Sequence, residues 1–148
     1  MRITRYTDYS LRVLIYLALQ PERLSSIREI SDSYSISEAH LMKVVQHLGQ
    51  LGYVVTLRGR GGGLRLAGAP EDIRIGDVVR KMEDDLSLVE CFADPGACCI
   101  TAPCKLRHVL RQALDAFLAV LDDYTLADLT TRPRAKALKA CLGLDAAE

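Results

Sequence analysis

Apolar positions recur at helical spacing along most of the chain. Leu11, Leu14, Ile15, Ala18 and Leu19 fall at i, i+3, i+4, i+7 and i+8. They form one broad apolar face and predict a first helix from Thr4 or Thr7 to Leu19, ended by Pro21. A second helix is predicted over Ser26–Ser33, burying Ile27 and Ile30. After the break Tyr34-Ser35-Ile36, Ser37 is a good N-cap for a third, EAHLMKVVQHLGQL. That helix turns Leu41, Val44, Val45 and Leu48 inward and keeps Glu38, Ala39, His40, Lys43 and Gln46 on its more polar sides. Two short helices joined by a tight turn, the second capped by Ser, fit a helix-turn-helix.

The period then changes. Gly52 stops the helix, and Tyr53–Leu57 and Leu64–Leu66 read as two short strands flanking RGRGGG at 58–63. A hairpin placed directly after a helix-turn-helix is a wing, and its glycine-rich tip bends closely enough for Arg60 to enter a minor groove. A phosphate-binding nucleotide loop is the rival for these glycines. Such a loop opens a helix, whereas these lead into the strand LRLAGAP. A short helix is expected over Ile75–Asp84, and a long one over Lys105–Asp122. Leu106, Leu110, Ala113, Leu114, Phe117 and Leu121 make a continuous seam on the long helix. A stripe this long in a small chain needs a second surface, and a homodimer through this helix supplies it and suits a two-fold DNA site.

Composition adds a class. Hydrophobic residues at 49% support a packed core, while aromatics at 5% leave most of the packing to aliphatic side chains. No stretch approaches the roughly 20 apolar residues of a membrane span. The N-terminus, interrupted by Asp8 and Arg12, does not read as a signal peptide, so a cytoplasmic protein without membrane partners is expected. The net charge of zero hides an asymmetry. Residues 1–66 carry nine Lys and Arg against five Asp and Glu, and residues 67–148 carry ten against fourteen. A polyanion partner for the first part follows.

The unusual chemistry lies in CFADPGACCITAPC, residues 91–104, which hold four of the five cysteines in a stretch that Pro and Gly make irregular. Where thiols stay reduced, such a cluster points to metal or redox chemistry. The paired C-x2-C hooks of structural zinc are absent. Adjacent Cys98 and Cys99 point in different directions, so the natural set is Cys91, one of that pair, and Cys104. Soft thiolates suit an iron–sulfur cluster, zinc or copper(I). A reversible disulfide switch is an alternative. Catalysis lacks support: His108 lies near Cys104, but no oxyanion or pocket signal accompanies it, so no enzyme is expected. Cys141, in KALKACLGL, reads as a small buried or half-exposed apolar residue.

Together MRITRYTDYSLRVLIYLA, VVTLRGRGGGLRLA, IRIGDVVRKMED, CITAPCKLRHVLRQAL and FLAVLDDYTLADL resemble the winged-helix iron–sulfur repressors, the family of the nitric-oxide sensors of NsrR type and the cluster-assembly regulators of IscR type. SLVEC and DDYTLADL are more similar to the NsrR type. The resemblance implies a mainly α fold: a winged helix-turn-helix domain at 1–82, a cluster-binding loop at 83–104, and a dimerisation helix with a C-terminal cap at 105–148. It implies that Cys91, Cys98 and Cys104 bind a two-iron or four-iron cluster, with Asp8 of the second subunit as the remaining ligand. Cys98 is preferred because C-x5-C before KL or RL is the family's usual spacing. The longer first gap and the extra Cys99 are departures, and they keep Cys99 open as the alternative ligand.

The resulting expectation is a homodimeric repressor of nitric-oxide detoxification genes on double-stranded promoter DNA, released when nitric oxide destroys the cluster. The other expectation is a winged-helix regulator switched by cysteine oxidation or iron status. Phosphate contacts are expected from Arg2, Arg12, Arg28 or Lys43, base reading from Glu38, Ala39, His40 and Lys43, and wing contacts from Arg58 and Arg60.

Overall fold

The structure, a computed structural model, describes residues 2–144. Helix α1 (Arg5–Ala18) starts at Thr4, whose hydroxyl accepts from the Thr7 amide, and it buries Val13, Leu14, Tyr16 and Leu17. Helix α2 (Ile27–Tyr34) begins in a full capping box, in which Ser26 accepts from the Glu29 amide and Glu29 returns to the Ser26 amide. Ser35, at φ 53°, ends it. Helix α3 (Glu38–Gln50) is capped by Ser37 and buries Leu41, Val44, Val45 and Leu48, the inward set its periodicity predicts. Replacing Ser26 by Ala removes one half of a reciprocal cap. It should lower stability by about 1 kcal/mol, read as a lower urea midpoint at unchanged slope.

Strands β1 (Val54–Leu57) and β2 (Gly63–Leu66) pair antiparallel, with Val54 opposite Leu66 and Leu57 opposite Gly63. Their base is anchored by Ser25, whose amide donates to Leu64 O at 3.0 Å while the Leu64 amide donates to Ser25 O at 2.7 Å. The hairpin is therefore held against the segment that enters α2. The tip needs its glycines, because Gly59 and Gly61 sit at φ 100° and 77°, where side chains are strained.

Helix α4 (Ile75–Met82) buries Ile75, Val78, Val79 and Met82. The predicted extension to Asp84 does not form, because Glu83 already has extended backbone. Residues 90–93 are the clearest departure. Instead of an irregular run from Cys91 onward, a single turn, α5 (Glu90–Ala93), carries Cys91. Helix α6 spans Lys105–Asp122 as predicted. Beyond it lie α7 (Leu126–Leu129) and α8 (Arg132–Cys141), where the sequence suggests only a cap.

The core is one continuous cluster of α1, α2, α3, the hairpin, α4 and Leu126, with a satellite of Val79, Leu114 and Leu118 joining α4 to α6. Across that joint the Arg80 guanidinium grips Asp122 through two bonds of 2.6 Å, which holds the Asp122 carboxyl below its ordinary range. Gly76 lies directly under the pair, where a Cβ would strike Asp122 Oδ1. No helix among the described residues is long and apolar enough to cross a membrane.

Candidate metal centre and nucleic-acid interface

The cysteine segment is fastened to the foot of α6. Cys104 is the N-cap residue of α6, so its side chain stands beside the helix end where unpaired amides gather positive potential. Arg107, one turn in, donates from Nε to Cys91 O at 3.3 Å, and the Arg111 guanidinium stacks on the Phe92 ring at 4.0 Å. These two contacts bring the first cysteine back to the helix that begins at the last one. Cys91 and Cys104 are half-buried, and Cys98 and Cys99 are exposed. The intervening chain is folded by local bonds, Thr101 Oγ1 to Cys98 O at 2.8 Å and the Gly96 amide to Asp94 Oδ1 at 2.8 Å.

The donor chemistry suits a thiolate-bound iron–sulfur group: soft sulfur ligands, cations from α6 and a helix N-terminus on one side. Within the single chain the ligands are spread. Among the described residues, no three His, Cys, Asp or Glu side chains converge closely enough to hold a metal ion. Asp8 is engaged elsewhere, accepting from Arg12 Nε at 3.2 Å and Nη2 at 2.8 Å along α1. Arg12 in turn lies over the rings of Tyr9 and Tyr34, at 5.9 and 5.8 Å. Burial pushes the Tyr34 hydroxyl up to about 12. The sequence suggests Arg12 as a free cation for phosphate. The structure places it in an i,i+4 pair with Asp8, a spacing at which opposite charges on a helix attract.

On the other side of the molecule α3 presents Glu38, Ala39, His40 and Lys43 to solvent together with Met42, which is 58% exposed. The apolar pattern alone leaves Met42 unassigned. An exposed apolar side chain on a recognition helix suits contact with a thymine methyl group. Helix α1 touches this surface. Tyr6 OH donates to Lys43 O at 3.1 Å, the Tyr9 and His40 rings are 6.4 Å apart, and Arg5, Tyr6, Tyr9, His40, Lys43 and Val44 line a cleft of about 300 Å³. Arg5 and Tyr9 thus join a surface that sequence reasoning confines to α3. Arg28, Arg58 and Arg60 are exposed on α2 and the wing.

Arg2 sits apart, at a cleft of about 500 Å³ between α4, α6 and residues 83–88, beside Glu83 and Asp85. The same region ties α1 to the segment leading to Cys91. Glu83 Oε1 accepts from the Thr4 amide at 2.7 Å and from Thr4 Oγ1 at 3.0 Å. Cys141 is exposed rather than half-buried, because α8 turns Leu138 and Leu142 toward the protein instead.

The sequence profile of the Rrf2 family, described as an iron-dependent transcriptional regulator, matches residues 3–132. The HTH-type transcriptional regulator NsrR of Bacillus subtilis is 63% identical over 131 residues, covering 87% of this chain and 90% of that one. Among solved structures, the global cysteine regulator CymR of B. subtilis is 32% identical with a TM-score of 0.71, covering 87% of this chain and 95% of that one. T. potens IscR is 25% identical with a TM-score of 0.68, covering 100% of this chain and 93% of that one. With this match over most of its length, and the winged helix-turn-helix and cysteine segment described above, the chain belongs to the Rrf2 family of iron-dependent transcriptional regulators, DNA-binding proteins rather than enzymes.

Proposed function

We propose that the chain is a homodimeric repressor whose cysteine segment holds an iron–sulfur cluster and whose promoter binding ends when nitric oxide attacks that cluster. The observation that carries this reading is the fastening of Cys91 and Cys104 to the N-terminus of α6 by Arg107 and the α6 cap, in a chain 63% identical to a regulator named NsrR. Cys91, Cys98 and Cys104 are the proposed thiolate ligands, with Cys99 as the alternative to Cys98 and Asp8 of the second copy completing the set. When bound, the cluster supplies iron open to a small diatomic gas at its carboxylate-held corner.

The chain's own residues do the rest. Leu106 and Val109, 62% and 50% exposed on α6, offer the apolar seam to a second copy. Drawing Asp8 to the other subunit's thiols competes with its pair to Arg12, so the ligand state biases α1. Helix α1 reaches α3 through Tyr6 and Lys43, and the cysteine side reaches α1 through Glu83 and Thr4. A shift of α1 therefore alters the separation of the two recognition helices, which a two-fold operator site requires to be fixed. The division of labour is 1–82 for DNA, 83–104 for the cluster and 105–148 for dimerisation and cap.

Arg60→Gln should weaken duplex binding about tenfold, the loss of one good groove contact, and leave iron and sulfide content unchanged. Loss of cluster loading in that variant would contradict the division between wing and loop. The reading as a whole is tested by comparing cluster-loaded and cluster-free chains on duplexes enriched by the loaded chain. Tight binding by the loaded form alone supports it. Equal binding by a colourless, metal-free chain would favour a switch at the exposed neighbours Cys98 and Cys99.

A further inference from the structure

Helix α8 carries Arg132, Arg134, Lys136 and Lys139 and no acidic residue. It runs against the charge of the part of the chain in which it lies, where acids outnumber bases fourteen to ten. The Rrf2 match ends at residue 132, so this helix lies almost wholly beyond what defines the family.

Two features fix its place. Gly143, at φ 68°, lets the chain reverse so that the Leu144 amide donates to Lys139 O at 2.9 Å, a glycine-dependent helix stop. That stop turns Leu142 and Leu144 onto the main core. At the same point Ser33 Oγ of α2 donates to Leu142 O at 3.1 Å. The C-terminal end of α8 is thereby docked on the end of α2. Ser33 stands four residues before Ser37, the cap of the recognition helix, and so within about 14 Å of it along any chain path.

The cations are sorted by face. Ala135, Leu138 and Leu142, spaced three and four apart, are the partly buried positions against the protein. Arg132, Lys136 and Lys139 fall at i, i+4 and i+7, a stripe about a quarter turn to one side of that face. The stripe is about 10 Å long, with Lys139 one turn from the Ser33 bond. Arg134 lies off it and donates to Asp128 O at 3.5 Å. A duplex strand carries a phosphate every 3.4 Å of axis, so a stripe of about 10 Å spans about three.

We propose that α8 is an additional DNA-contacting element, its Arg132, Lys136 and Lys139 seating backbone phosphates beside the groove that α3 enters. This rests on the reading of the chain as a DNA-binding regulator and extends the contact surface beyond the winged helix. The contact is to phosphate, so it adds affinity and salt dependence without sequence preference.

The test is the triple variant R132Q/K136Q/K139Q, since Gln keeps helix propensity and removes charge. Binding of the full-length cluster-loaded chain is followed against salt on two probes: a duplex enriched from a random pool by the parent, and a mixed-sequence duplex. The slope of log affinity against log salt should fall by about 2 to 3, about 0.9 for each lost contact. Affinity should drop by the same factor on both probes. The charge-keeping variant R132K/K136R/K139R should retain the parent slope. A triple-Gln variant with parent helicity and an unchanged slope overturns the proposal, as does one whose weaker binding is accounted for by dissociation into single chains in sedimentation. A parent that binds no duplex at all overturns both the regulator reading and this one. A parent that binds, with a variant of equal slope, overturns this one alone.

Discussion

Chain carrying Cys104→Ser is expected to purify colourless, with iron and acid-labile sulfide reduced more than about 100-fold after reconstitution. Loss of groups that merely orient a ligand costs 10- to 100-fold in metal affinity, and loss of the ligand itself costs more. Serine offers a hard, protonated oxygen where soft iron–sulfur chemistry needs sulfur. The position makes this variant informative. Cys104 is the N-cap of α6 and makes no capping hydrogen bond there, whereas Ser is among the favoured N-cap residues. The fold should therefore be kept or slightly strengthened, and far-UV circular dichroism should match the parent while the colour is lost. Cys141→Ser, on the exposed side of α8, should remain brown. Cys98→Ser and Cys99→Ser, measured side by side, identify which of the adjacent pair binds. A fully loaded Cys104→Ser chain would remove Cys104 from the ligand set.

Gly62→Ala is expected to cost duplex affinity tenfold or more while leaving the core and the cysteine segment as they are. A Cβ at Gly62 would lie well inside contact with the backbone oxygen of Leu57 and 3.0 Å from that of Gly59. Neither is the far end of a flexible side chain, so relief requires the hairpin backbone to move. Overpacking of this kind costs about 1–3 kcal/mol. The hairpin has only two short strands, and such a unit is marginal by itself, so the tip reshapes and carries Arg58 and Arg60 away from their positions. Gly68→Ala is the control, since a Cβ there meets nothing within 4 Å. Equal DNA affinity for the two Ala variants would mean that the wing tip takes no part in binding.

Much of the fold was legible because local signals agreed. Ser37 as cap, the buried set on α3 and the Lys105–Asp122 helix each combined a boundary residue with a clear apolar period. The failures are tertiary. The turn at Glu90–Ala93 is tied down by Arg107 and Arg111 from a helix fourteen or more residues on, and no local pattern announces that. Met42 sits on the polar side of an amphipathic helix, where a period marks the inside and is silent on what the outside does. The Asp8–Arg12 pair was readable from its spacing of four, yet each residue was first weighed alone. The proposed ligand set was legible as chemistry and not as geometry. Its cysteines and Asp8 stand on different elements, and their proposed meeting requires a second copy of the chain.

The most direct measurement is made on one anaerobic sample of the purified chain bound to a labelled duplex, titrated with nitric oxide while absorption and DNA anisotropy are followed together. Loss of the charge-transfer band in step with release of the duplex is the predicted result. A band that disappears while the DNA stays bound, or DNA released by a chain that never had a band, would contradict the claim that the cysteine segment senses and the winged helix responds.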